Sequence, residues 1–156
     1  MHPTPKAEPF RIAVPEAVLT DLKARLANTR WPTTEPKAKA WHYGAKMSFV
    51  KEAVGYWQNQ YDWRKAEAEL NARTHYTASI GGKQVHFLVE KGSGANPLPL
   101  LITHGWPGSI IEFMDIIDLL AHPERHGGKV EDAFTVIAPS IPGYGFSGKP
   151  TETGWR

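Results

Sequence analysis

The sequence predicts an α/β fold in which helices come first and the opening strands of a central sheet follow. Two observations carry this expectation. Apolar residues recur at helical spacing up to about Leu70, and from His75 onward the runs become short and strand-like. Further on, Leu98, Leu100, Leu101 and Ile102 lack polar alternation and empty through Gly105-Trp106-Pro107-Gly108 into a helix start. That is the pattern of a parallel strand covered on both faces and handing over to a helix.

The elements follow in order. Residues 1–9 are polar and proline-rich and predict a disordered tail. Pro15 to Asn28 predicts a helix, with Pro15 suited to its first turn and Val18, Leu22 and Leu26 as its apolar stripe. Trp31-Pro32 and the stretch to Ala40 predict a connecting loop. A second helix is expected over 48–60, with Met47, Val50, Val54, Trp57 and Tyr61 spaced by three and four, and a third over 64–70. Four of the six tryptophans fall in this helical part, and packing of the helices onto a sheet is the role expected of them. Two strands, His75–Ile80 and Lys83–Glu90, flank Gly81-Gly82, a hairpin signal. In the second strand, Val85, Phe87 and Val89 alternate with Gln84, His86 and Leu88, as in a strand with one face in the core. A strand over Leu98–Thr103, a helix over 110–121 and a strand over Ala133–Ala138 complete the pattern. Ser109 and Glu112 have the spacing of a capping box at the start of that helix.

Composition narrows the function classes. Lys and Arg number 18 against 16 Asp and Glu, a net charge of +2 spread along 156 residues. Neither nucleic acid nor an anionic membrane is an expected partner of so even a distribution. Cysteine is absent, which excludes disulfides, thiolate metal sites and thiol nucleophiles. No stretch approaches the ~20 apolar residues of a membrane span, and no secretory leader is apparent, so a cytoplasmic protein is expected.

The chemistry-bearing segment is the turn His104-Gly105-Trp106-Pro107-Gly108. Gly105 and Gly108 allow a sharp reversal, Pro107 has no N–H, and the remaining backbone N–H groups can point outward as an oxyanion site requires. Gly143 to Lys149 has the Gly-x-x-x-x-Gly-Lys spacing of a phosphate loop. Pro150 then stands where a hydroxyl residue is needed and no helical period follows, so nucleotide binding is not expected. The segment reads instead as a glycine-rich loop at the carboxyl edge of the sheet, with Tyr144 and Phe146 at a pocket mouth. His122, Glu124 and His126 lack metal-ligand spacing, and Pro123 breaks any helix between them; a solvated loop is expected and no metal. His42, His75 and His86 stand singly, as strand or loop residues. Asp115 and Asp118 lie in a helix with no histidine beside them in the sequence.

The string from Leu101 to Ser109 resembles the HGxP oxyanion-hole motif of α/β-hydrolases, in the HGWPGS form of microsomal-type epoxide hydrolases. The segments around Asp21–Leu26, Thr29–Pro32, Tyr56-Trp57, Tyr61–Arg64 and Glu69–Asn71 resemble the N-terminal domain of that family. Gly82, His86 and Phe87 resemble its "G…HF" strand, and Pro139–Ser147 its PSLPGYGFS segment. The resemblance runs from about Pro9 to Trp155. It implies the N-terminal half of an α/β-hydrolase fold, with a tail over 1–9, the N-terminal domain over 10–97 and the start of the catalytic core over 98–156.

For the site, the resemblance implies that the Trp106 N–H is an oxyanion-hole donor, its indole a pocket wall, and the Trp106–Pro107 bond a candidate for cis. His104, Gly105 and Pro107 support the turn, and Tyr144 and Phe146 join Trp106 in the substrate pocket. The reaction implied is conversion of an epoxide to a vicinal diol through an alkyl-enzyme ester, without cofactor or metal. In the family the nucleophilic Asp, base His and lid tyrosines lie beyond the PGYGFS segment, so this chain alone is expected to be inactive. Its partner would be the complementary C-terminal segment, or a second copy in self-association. Two alternatives stay open on the residues: a noncatalytic truncated paralogue acting as a binding or regulatory partner, and another α/β-hydrolase such as a haloalkane dehalogenase. The helical segment speaks against the second.

Overall fold

A computed structural model describes residues 5–33, 41–42 and 44–154 of the chain. They fall into two compact units, Met1–Ile12 with Ala68–Arg156, and Ala13–Glu67. The Gly81-Gly82 hairpin pairs with a later strand and lies with it in the first unit. Most of the loop expected up to Ala40 lies outside the described residues.

The first unit is built on five strands: β1 (Ala7–Phe10), β2 (Thr74–Ile80), β3 (Lys83–Glu90), β4 (Leu98–Leu101) and β5 (Phe134–Pro139). Their order is β1-β2-β3-β5-β4, antiparallel except for the parallel β4–β5 pair. The hairpin forms as the sequence predicts. Gly81 and Gly82 sit at φ 57° and 75°, the left-handed pair that a two-residue type I′ turn requires, which sets Ile80 opposite Lys83.

Three expectations need correction here. The N-terminal residues are not all tail, since Ala7–Phe10 pairs with β2 from Ala7↔Ala78 to Phe10↔His75. Beyond β1, the Asn71 amide takes over the role of a strand. It accepts the Ile12 N–H at 2.9 Å and donates to the Ile12 carbonyl at 2.8 Å. Local composition cannot reveal partners some sixty residues away. Second, both faces of β3 are covered: His86 and Leu88 are fully buried on one, and Val85 is buried on the other beside half-buried Phe87 and Val89. Third, Leu98 and Leu101 of β4 are 65% and 64% exposed. β4 is one of the two edge strands of the sheet, with β1 the other, and among the described residues no strand pairs with its outer edge.

After β4 the capping box closes as expected. The Ser109 hydroxyl accepts the Ile111 N–H, and Glu112 reaches back to the Ser109 N–H. The helix itself starts later than predicted: Ile110–Phe113 is a tight 3₁₀ turn, common at helix starts, and the α-helix runs over Met114–Ala121 (α4). Ile110, Ile117 and Ala121 pack onto Leu88, Val136 and Ala138 to make the core of this unit.

The second unit holds α1 (Glu16–Ala27) and α2 (Met47–Asn59), and α3 (Trp63–Leu70) begins within it. The half-buried stripe of α1 is Leu19, Leu22 and Leu26, while Val18 is exposed. The helical period allows both stripes, and only the position of α2 selects between them. Tyr56, Trp57, Tyr61 and Trp63 line a surface cleft beside Leu22 of α1, and Tyr56, Trp57 and Tyr61 stay exposed. Glu67 ties its ends together by accepting from the Val14 N–H, the Trp63 indole and Arg64. The Val14 hydrogen bond, then the Arg64 one, hold its carboxyl below the usual range.

Candidate functional site

β4 ends at Leu101, Ile102 adds one more bond to the Ile137 carbonyl at 3.0 Å, and the chain then turns through His104–Gly108. The turn therefore lies at the carboxyl end of a parallel strand, where α/β sheets gather ligands. Its Trp106–Pro107 bond is cis.

His104 holds the turn from inside. Its ring is buried, Nε2 accepts the Ile141 N–H at 3.1 Å, and Nδ1 lies 3.0 Å from the Gly105 carbonyl. An amide N–H can only donate and a carbonyl can only accept, so the ring is the neutral Nδ1–H tautomer. It joins the turn after β4 to the loop after β5. The Tyr144 ring meets its edge at 5.5 Å.

Trp106 projects from this fixed base with 83% of its surface exposed. Its backbone N–H has no hydrogen-bond partner among the described residues. A peptide N–H left uncommitted on a tied-down turn is available to an oxyanion. Gly108 allows the turn to close, because a Cβ there would lie 2.7 Å from the Gly105 carbonyl oxygen and collide with the Glu112 carboxylate.

The expected pocket residues separate. Tyr144 stands against His104, on the side of the turn. Phe146 does not: it packs on Phe10 at 5.8 Å and edge-on to His86 at 5.3 Å. These contacts anchor the loop on the sheet. Gly145, at φ 49°, reverses the chain between the two aromatics. The phosphate-loop spacing has no phosphate geometry. The N–H groups of Gly143, Tyr144, Ser147 and Gly148 donate to the carbonyls of Gly148, Ile141, Tyr144 and Gln84.

Away from the turn, four more histidines are engaged. His122 contacts the Ser93 hydroxyl at 2.6 Å and Glu90 at 3.3 Å, and Ser93 also donates to Glu124. His126 pairs with Asp118 at 2.7 Å and, with Arg125, holds that carboxyl below the usual range. Asp118 therefore has the histidine neighbour its local sequence does not show. The pair is a half-exposed link between α4 and the turn after it. His75 and His86 lie on one face of β2 and β3, with Nδ1 of the first 3.0 Å from Nε2 of the second. The register brings them together: Thr77 faces His86, and His75 sits two residues away on the same face.

Comparison with known proteins agrees with this architecture. The family described as epoxide hydrolase N terminus matches residues 7–113. A Stigmatella aurantiaca protein that bears the epoxide hydrolase name is 52% identical over 148 residues, covering 95% of this chain and 33% of that protein. Epoxide hydrolase 1 of Oryctolagus cuniculus is 38% identical over 152 residues, again 95% of this chain and 33% of the relative. The crystal structure of juvenile hormone epoxide hydrolase from Bombyx mori superposes with a TM-score of 0.84 at 29% identity, over 97% of this chain and 36% of that one. The chain thus spans about a third of the length of the relatives it matches. A family match over most of the chain, joined to the same front part of an α/β-hydrolase sheet, means that this chain belongs to the epoxide hydrolase N-terminal family.

Proposed function

We propose that the chain is the front part of an enzyme converting a small-molecule epoxide to a vicinal diol, and that the Trp106 N–H is its contribution to the chemistry. The uncommitted Trp106 N–H, on a turn that His104 ties to the loop after β5, is the observation that carries this reading. A carboxylate supplied by the rest of the enzyme opens the epoxide and forms an alkyl-enzyme ester. Activated water then adds to the ester carbonyl, and negative charge develops on its oxygen. A fixed N–H donor stabilises that charge without reorganising, a contribution of about 2.7–4 kcal/mol per donor. The Trp106 indole and the Tyr144 ring would border the substrate. The reading requires neither a metal nor an organic cofactor.

His104→Ala in the longer enzyme that carries this chain tests the assignment. The substitution leaves the Trp106 N–H in the chain but removes the tie to Ile141. Misplacing the donor by about 1 Å is expected to slow ester hydrolysis by about 10²-fold. Single-turnover kinetics separate this step from epoxide opening, which should change far less. Equal slowing of both steps, or of neither, would remove Trp106 from the oxyanion site.

A further inference from the structure

We infer that His86 is a positioning residue for the Trp106 turn, acting through Ser140, Ile141 and His104. This rests on the oxyanion reading above, and adds a residue on a different strand that the reading does not use.

The buried hydrogen bonds form one directed chain. The Leu70 carbonyl, 2.8 Å from His75 Nε2, can only accept, so that nitrogen carries the proton. In the neutral ring Nδ1 then accepts, and its neighbour at 3.0 Å, His86 Nε2, must donate. His86 Nδ1 is left as an acceptor, 2.9 Å from the Ser140 hydroxyl, which donates to it. Every ring nitrogen is used once, and the order is set from the Leu70 end.

Ser140 is the first residue after β5 and is held on all sides. Its N–H donates to the His86 carbonyl at 2.8 Å, and its carbonyl accepts from the Ser147 hydroxyl at 2.7 Å. That hydroxyl in turn accepts the His86 N–H at 2.9 Å. A Cβ at Gly145 would stand 2.8 Å from the Ser140 oxygen, so glycine there lets the loop close over it. The next residue, Ile141, donates to His104. The direction in which the Ile141 N–H points is thus set by a serine clasped to His86, and His104 follows it.

His86 is suited to the task because it stays uncharged. Phe10 of β1 and Phe146 of the loop cover its ring, His75 of β2 is the one titratable group acting on it, and Ser140 and Ser147 are neutral. Burial first, then His75, push it down to about 4. The acceptor facing Ser140 is therefore constant across the neutral range.

Two uncharged amides divide the ring's functions. His86→Asn places an oxygen near the Nδ1 position and keeps the Ser140 bond. His86→Gln places an amide nitrogen near the Nε2 position and keeps the His75 bond. Hydrogen exchange of the longer enzyme that carries this chain, read by mass spectrometry, compares segment 140–147 with the β2–β3 hairpin. His86→Gln is expected to speed exchange in 140–147 by about tenfold while the hairpin keeps its rate, and His86→Asn to stay within about threefold of the unaltered chain. A core role for His86 alone treats both amides alike, and equal behaviour of the two overturns the inference. Should either variant fail to fold, Ser140→Ala decides. Faster exchange in 140–147 with an unchanged hairpin supports the relay, and an unchanged 140–147 overturns it. Neither readout involves hydrolysis, so a failed oxyanion assignment leaves its own trace in the kinetics of His104→Ala.

Discussion

At Trp106 the backbone and the side chain are expected to separate in function. Trp106→Ala keeps the N–H and removes the indole, which is 83% exposed and contributes little to packing. In the longer enzyme, the expected outcome is an altered KM and substrate preference, with ester hydrolysis slowed less than in His104→Ala; steady-state and single-turnover kinetics on two epoxides of different size check it. His86 makes a prediction about acid. Its ordinary value is 6.5, and in the fold it is held at about 4. Between these values the unfolded chain binds the proton and the folded chain does not, so stability is full above about pH 6.5 and falls as pH drops toward 4. The whole loss is about 3 kcal/mol. Denaturant midpoints measured from pH 7 to 4 should show that slope, and His86→Asn should remove most of it; a slope that persists in His86→Asn would mean that other groups carry the acid sensitivity.

Among the elements, β1 and the helix start after the turn make the clearest cases. β1 is short, and its continuation depends on one amide side chain: Asn71 satisfies both the N–H and the carbonyl of Ile12, a residue 2% exposed. Asn71→Asp keeps the acceptor but sets a carboxylate oxygen against the Ile12 carbonyl. It is expected to cost about 2 kcal/mol and to release β1, seen as loss of exchange protection at the β1–β2 pairing. At the other end of the unit, Ser109→Ala removes the acceptor for the Ile111 N–H and should cost about 1 kcal/mol in chemical denaturation. Because that cap begins one residue past Gly108, it also fixes where the turn ends.

For the molecule as a whole, the outer strand decides behaviour. β4 offers exposed Leu98 and Leu101 beside an edge unpaired among the described residues, and Ile111, Ile116 and Leu119 are also exposed. Uncharged edges of this kind pair with other chains. The isolated 156 residues are expected to self-associate in sedimentation velocity, and co-expression with the C-terminal two thirds of a relative to return a discrete complex. A concentrated, stable monomer would contradict this. Without that segment no epoxide turnover above background is expected: the carboxylates with a histidine beside them are already engaged, Asp118 by His126 and Arg125 and Glu90 by His122 and Arg73. No helix among the described residues is long and apolar enough to cross a membrane.

The local signals were legible without coordinates wherever a few neighbouring residues determine the outcome. Gly81-Gly82 required a type I′ hairpin, Ser109 with Glu112 required a cap, and Gly105 to Gly108 marked a turn, because each depends on backbone geometry within a handful of positions. Tertiary structure decided the rest. Whether Val18 or Leu19 faces inward depends on where α2 lies. β1 exists because β2 and Asn71 supply its partners from far along the chain. Phe146 anchors its loop because β1 places Phe10 against it. His75, His86 and Ser140 become one relay only when register and the loop after β5 bring them within hydrogen-bonding distance, and a sequence read one residue at a time carries no record of such a distance.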